Sequence, residues 1–186
     1  TSSNSTLGGL ATGTGFPVNK MGHVCGIVKA YTTRVGGGPF PAELEDEVGQ
    51  QLRDQGHEYG STTGRPRRCG WLDLAILKRF MFINGVDSIN LTKLDVLMGI
   101  PKLQVITKYL LDGKEIHRVP ELQSERDRVE FQTEEFEGFT EDISRCQSFS
   151  ELPLAAQKYI EFIEEFLNVP VKFIGVGKDR TQLIFR

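Results

Sequence analysis

Asp73-Leu74-Ala75-Ile76-Leu77-Lys78-Arg79-Phe80-Met81-Phe82-Ile83-Asn84-Gly85, continued by Val86-Asp87-Ser88-Ile89-Asn90-Leu91-Thr92-Lys93-Leu94-Asp95, holds one complete helix-to-strand unit. Asp73 can accept from the free N–H groups of a first helical turn. Leu74, Leu77, Phe80, Met81 and Ile83 recur at helical spacing, and Asn84-Gly85 supplies a left-handed stop. Residues 88–97 then read as a buried strand running into a loop, with Gly99 and Pro101 as breakers. A helix feeding a buried strand is the repeating unit of an α/β sheet.

The pattern extends in both directions. Residues 103–111 and 114–119 flank Asp112-Gly113, a strong hairpin signal that adds antiparallel pairing. Residues 121–150 are charged, with Phe131, Phe136 and Phe139 scattered among them, and predict a strand and irregular structure over the hairpin. Ser150 and Pro153 open an amphipathic helix with Ala156, Tyr159, Ile160, Ile163, Phe166 and Leu167 as its stripe, ended by Pro170. Residues 171–176 and 181–185 read as strands around a loop at 177–180. Toward the start, the glycines of residues 5–17 predict a loop. Met21, Val24, Cys25, Ile27, Val28 and Tyr31 predict a helix over 20–34, with His23 on its surface, stopped by Val35-Gly36-Gly37-Gly38-Pro39. Pro41 suits the first turn of a second helix carrying Glu43, Glu45, Asp46 and Glu47 and closed by Gly56. The fold class is α/β, a mixed sheet with helices.

Composition limits the function. With 186 residues, 39% hydrophobic content and a formal net charge of -3, the chain is sized for one core. A pI near 5.7 argues against general nucleic-acid binding. Cys25, Cys69 and Cys146 are odd in number and lack metal-ligand spacing, which fits a reducing cytoplasm. No apolar run is long enough for a membrane span, and no signal-peptide pattern opens the chain. The opening at Thr1-Ser2-Ser3-Asn4 reads as the middle of something longer.

Two segments carry chemistry. Gly60-Ser61-Thr62-Thr63-Gly64-Arg65-Pro66-Arg67-Arg68-Cys69-Gly70-Trp71 sets three guanidiniums beside three hydroxyls on a glycine-broken loop. Guanidinium forks bind carboxylate or phosphate in bidentate fashion, so the loop reads as an anion socket; a solvated basic turn is the other reading. Thr92-Lys93-Leu94-Asp95 follows a buried strand. A carboxylate accepts from two parallel N–H groups, which guanine offers at N1 and N2 and adenine does not. Asp95 can thus read guanine, with the stem and ammonium of Lys93 across the base; a salt-bridged strand end is the alternative. In α/β sheets ligands sit where strands end, so the rim comprises the basic loop, residues 92–95 and residues 175–180.

Taken in order, Thr1-Ser2-Ser3-Asn4, residues 29–41, residues 62–73, residues 91–97 and Gly175-Val176-Gly177-Lys178-Asp179-Arg180 resemble the C-terminal part of the adenylosuccinate synthetase family over essentially the whole chain. The resemblance implies a P-loop-NTPase-like mixed sheet with helices on both faces, here as the C-terminal part (1–186) of a single domain. It implies GTP-dependent condensation of IMP with L-aspartate, with Mg2+, in a homodimer whose partner contributes an arginine to IMP. By matching position, Ser61, Thr62, Thr63, Gly64, Arg65, Pro66 and Arg67 bind aspartate. Thr1, Val35 and Arg65 meet IMP, and Arg67, Lys93, Leu94, Asp95, Gly175, Val176 and Gly177 meet GTP. The family's catalytic aspartate and histidine and its magnesium ligands lie upstream of Thr1, so none of His23, His57 and His117 is assigned to catalysis. Lys178 departs from the proline common in the family. A guanine-nucleotide-binding module without ligase activity, and a non-catalytic domain whose basic loop meets an acidic partner, are the rival readings.

Overall fold

The computed structural model describes Asn4 and residues 6–186. In chain order the elements are α1 (Leu7–Thr14), β1 (Cys25–Lys29), β2 (Thr32–Arg34), α2 (Glu47–Gln55), β3 (Arg68–Gly70), β4 (Leu72–Asp73), α3 (Leu74–Asn84) and β5 (Ser88–Thr92). There follow β6 (Lys102–Leu111), β7 (Lys114–Ile116), α4 (Gln123–Arg126), β8 (Val129–Glu137), α5 (Leu154–Leu167), β9 (Val171–Gly175) and β10 (Leu183–Phe185). Among the described residues no helix is long and apolar enough to cross a membrane.

The first sheet runs β1-β5-β9-β10, parallel across β1, β5 and β9, with β10 antiparallel at one edge. The second centres on β6, which pairs in parallel with β4 and antiparallel with β7 and β8. A short ribbon joins β2 to β3. The mixed α/β class follows the sequence reading, and so does its decisive unit: Asp73 Oδ1 accepts from Ile76 N at 2.9 Å to start α3, and Gly85 ends it in the left-handed region at φ 56°. The hairpin turns at Asp112 and Gly113, both at positive φ (52° and 77°), which matches the right-handed twist of the flanking strands. In α5 the buried stripe is Ala156, Tyr159, Ile160, Ile163 and Leu167. Its large members each contribute roughly 1.5–3 kcal/mol of burial before chain entropy is counted.

Four expectations are corrected. Residues 7–14 form a helix, not a loop: Thr6 Oγ1 accepts from Gly9 N at 3.1 Å and Gly15 closes the end at φ 70°, so caps outweigh the glycines inside. Residues 20–34 do not form a helix: Lys20 ends a short 3-10 turn (Val18–Lys20), and β1 and β2 follow. The apolar spacing there suits either period. Pairing of Cys25–Lys29 with Ser88–Thr92 decides for strand, and it leaves Ile27 facing out while Val28 is buried. His23 therefore precedes a strand, its Nε2 2.7 Å from Ser88 Oγ. The second helix starts at Glu47 with Asp46 as its cap, so Glu43 and Glu45 lie before it. Finally, β8 extends the second sheet beside β6 instead of lying over the hairpin.

Candidate functional site

The parallel strands of the first sheet end together. Lys29 is paired with Thr92, and Leu91 with Ile174, which brings Thr92 beside Gly175. A Cβ on Gly175 would stand 3.4 Å from Thr92 Cα and 3.6 Å from Lys93 N, so this glycine lets two rim segments touch backbone to backbone. Residues 93–95 and 175–177 are thus one surface, although 82 positions separate Lys93 from Gly175 (175 − 93).

At Lys93 the chain turns through φ 61° into a 3-10 turn, Leu94–Leu97. Leu94 and Val176 are fully buried, so only their backbone groups can face a ligand. The Asp95 carboxyl is partly buried, and that burial pushes it above the usual aspartate range despite the nearby Lys93. Lys93 departs from the expected geometry. Its ammonium donates to Gly56 O and to Glu58 Oε1, both at 2.7 Å, which leaves the aliphatic stem and not the charge to cover a base.

The basic loop is closed on itself. Gly60 N donates to Arg65 O at 2.9 Å, Gly64 N donates to Gly60 O at 2.8 Å, and Gly64 turns at φ 64°. The exposed Ser61, Thr62, Thr63, Gly64, Arg65 and Pro66 lie on it. With Val35, Gly36, Arg67 and Arg68 this loop borders an open cleft of about 680 Å³. Val35 and the threonine-arginine loop, far apart in sequence, are therefore brought together. Thr1 lies outside the described residues.

The three arginines have different fates. Arg65 is exposed and, among the described residues, makes no ion pair. Arg67 donates from Nη1 to Glu58 Oε2 at 2.6 Å. Arg68 also borders the cleft, but its guanidinium is engaged within the chain: it grips Glu43 through Nε (2.8 Å) and Nη2, donates to Gly38 O at 2.9 Å, and covers the Phe40 ring. Its guanidinium is spent on holding the Gly36–Gly38 turn against β3.

Glu58 is the residue that sequence reasoning passed over. It is 0% exposed, yet its carboxylate meets Lys29 Nζ (2.9 Å), Lys93 Nζ (2.7 Å), Tyr31 Oη (2.6 Å) and Arg67 Nη1 (2.6 Å). Burial raises its pKa, but donation from Lys93, Tyr31, Lys29 and Arg67 outweighs burial and holds it at about 2. Burial, followed by the Glu58 hydrogen bond, pushes the Tyr31 phenol far upward. The signal in the sequence was an acid two positions before the basic loop, in His57-Glu58-Tyr59, with no periodic pattern around it. Among the described residues no three His, Cys, Asp or Glu side chains gather to hold a metal ion, and Glu58 is enclosed by cations.

Comparison with known proteins identifies the family. Residues 1–184 match the family model described as adenylosuccinate synthetase. Over 186 residues the chain is 52% identical to an adenylosuccinate synthetase of Paramecium tetraurelia, covering 100% of this chain and 43% of that one. It is 50% identical to adenylosuccinate synthetase 1 of Laccaria bicolor, covering 99% of this chain and 43% of that one. The structure of fully ligated adenylosuccinate synthetase from Plasmodium falciparum superposes with a TM-score of 0.95 at 46% identity, covering 100% of this chain and 45% of that one. The chain thus spans less than half the length of the relatives it matches, and it belongs to the adenylosuccinate synthetase family.

Proposed function

We propose that this chain supplies the aspartate loop and the guanine-reading rim of a ligase of AMP biosynthesis, as the C-terminal part of a single domain. In this reading the γ-phosphoryl of GTP passes to the 6-oxygen of IMP, giving 6-phosphoryl-IMP and GDP. The amino nitrogen of L-aspartate then forms a bond to C6 as the C6–O bond breaks, and inorganic phosphate leaves. Arg65 clamps an aspartate carboxylate and reaches toward IMP, and the Ser61–Thr63 hydroxyls and the Gly64 backbone complete the pocket. Val35 and Thr1 serve the IMP side. Asp95 accepts from guanine N1–H and N2–H, the Lys93 stem covers the base, and the Gly175–Gly177 backbone borders it. Because phosphoryl transfer depends on positioning and charge neutralisation, these binding groups are parts of the mechanism. Magnesium draws no ligand from this chain in the proposed arrangement. The working unit is a cytoplasmic homodimer.

The observation that carries the reading is the shared cleft of Val35 and residues 60–67 beside the joined rim of Thr92 and Gly175, in a chain of this family. A bare guanine-binding module leaves the basic loop without a purpose. The test is to supply the full-length enzyme with IMP, L-aspartate, magnesium and GTP and to quantify products. Equal amounts of adenylosuccinate, GDP and phosphate are expected, and GDP release without adenylosuccinate contradicts the ligase reading.

A further inference from the structure

We infer that Glu58 is a positioning residue that sets the aspartate loop and the guanine rim at a fixed spacing, through Arg67 on one side and Lys93 on the other. The inference rests on the ligase reading above for what the two sides bind. Glu58 Oε2 takes Arg67, the last residue of the basic loop before β3, whereas Oε1 takes Lys93, the residue that follows β5. The two cations come from segments 26 positions apart (93 − 67) and meet on one carboxylate. The backbone reinforces the link, since Arg67 N donates to Glu58 O at 2.8 Å.

The charge count explains why this is more than a packed ion pair. Lys29, Arg67 and Lys93 bring three positive charges to one negative charge, a local excess of two (3 − 1). Their side chains remain 29%, 33% and 35% exposed while Glu58 is sealed beneath them. Donors are also left over. Lys29 spends one N–H on Glu58 and one on Thr33 Oγ1, and Lys93 spends one on Glu58 and one on Gly56 O, so each ammonium keeps a third. Arg67 keeps Nε and Nη2. The carboxylate therefore orders three partly exposed cations and leaves each with unused donors, so that an anionic substrate can supply the missing negative charge. Lys93 holds a left-handed backbone at φ 61°, uncommon for a non-glycine residue, while its ammonium is anchored on Glu58 and Gly56 O.

The test uses the full-length enzyme with Glu58→Gln, which keeps the shape but removes the charge and one acceptor. Initial rates are measured against aspartate and against GTP, with calorimetric GTP binding and thermal unfolding alongside. Both KM values are expected to rise about tenfold or more together, with GTP Kd rising in parallel and a smaller change in kcat. A role in packing alone predicts a lower Tm with both KM values unchanged, and that result overturns the inference, as does a rise in only one of them. Should Glu58→Gln not fold, Tyr31→Phe removes one donor and keeps the carboxylate. Parallel, smaller rises in both KM values then support the inference, and a rise in neither overturns it. If the unsubstituted enzyme makes no adenylosuccinate, the ligase reading itself falls, and GTP Kd in the variants still decides whether Glu58 positions the guanine side.

Discussion

Gly56 lies so close to Tyr31 that a Cβ at position 56 would stand 2.2 Å from the phenolic oxygen. The glycine is required for space and not for handedness, because its φ is −76°. That missing side chain lets Tyr31 reach Glu58 from below while Gly56 O receives Lys93 from the other side.

Gly56→Ala should therefore act as an overpacking change at the ion cluster. It is expected to cost about 1–3 kcal/mol, at roughly 2–4 °C in Tm per kcal/mol for a chain of this size, and to raise the KM for GTP as Tyr31 and Lys93 shift. Thermal unfolding and initial rates check both parts; an unchanged Tm would show that the Tyr31 ring moves aside freely.

Acid should weaken the same cluster. The Glu58 pKa is lowered from an ordinary 4.5 to about 2, so its ionised form stabilises the fold above pH 4.5 and that contribution is lost as pH falls from 4.5 through 2. The contribution is on the order of 3 kcal/mol by proton linkage. Denaturant unfolding across that window should show a slope that Glu58→Gln flattens, and equal slopes in the two proteins contradict it.

Arg65 and Arg68 should separate cleanly. Arg65→Leu removes an exposed guanidinium that makes no internal ion pair among the described residues, so the fold is retained while the KM for aspartate rises. Losing a charge-assisted pair is worth about 1.5–3 kcal/mol, or ~10–150-fold. Arg68→Leu strands Glu43 and releases Gly38, so it is expected to lower stability first. Aspartate saturation curves and unfolding midpoints distinguish the two, and unchanged aspartate saturation in Arg65→Leu contradicts its role.

Much of this division was legible beforehand. The Asp73 cap, the Asp112-Gly113 turn and the α5 stripe are local signals, and local chemistry settles them. Residues 20–34 misled because their apolar spacing fits two periods and only the partner strand, more than 50 residues away in sequence (Cys25 pairs with Ser88), selects one. In the candidate site, hydroxyl and guanidinium types pointed to the loop that borders the cleft, but residue type alone could not tell that Arg68 turns to Glu43 and Lys93 to Glu58. Glu58 was illegible for the same reason: its four donors come from three separate parts of the chain, and no spacing encodes their meeting.

Guanine selection should depend on Asp95. Asp95→Ala removes the acceptor for N1–H and N2–H, so the preference for GTP over ITP, which lacks the N2 amino group, is expected to shrink by roughly tenfold or more. Because burial pushes the Asp95 carboxyl upward, the KM for GTP should begin to climb at a higher pH on acidification than an exposed aspartate would give. A GTP/ITP ratio equal in the two proteins contradicts this assignment.

Beneath α3, the Tyr109 hydroxyl donates to the buried Asp73 carboxylate that also caps the helix, and burial pushes that carboxyl upward. Tyr109→Phe leaves one carboxylate oxygen without its donor and should cost about 1–3 kcal/mol while sparing both KM values. A change in KM without a change in stability would place Tyr109 in the site instead.

The central claim is that one site joins guanine reading to aspartate capture. Its most direct test is the initial rate of adenylosuccinate formation by the full-length enzyme, with IMP, L-aspartate and magnesium fixed and GTP or ATP supplied at equal concentration. The account predicts product with GTP and, at most, a trace with ATP. Equal rates with the two nucleotides, or no product with GTP, would contradict it.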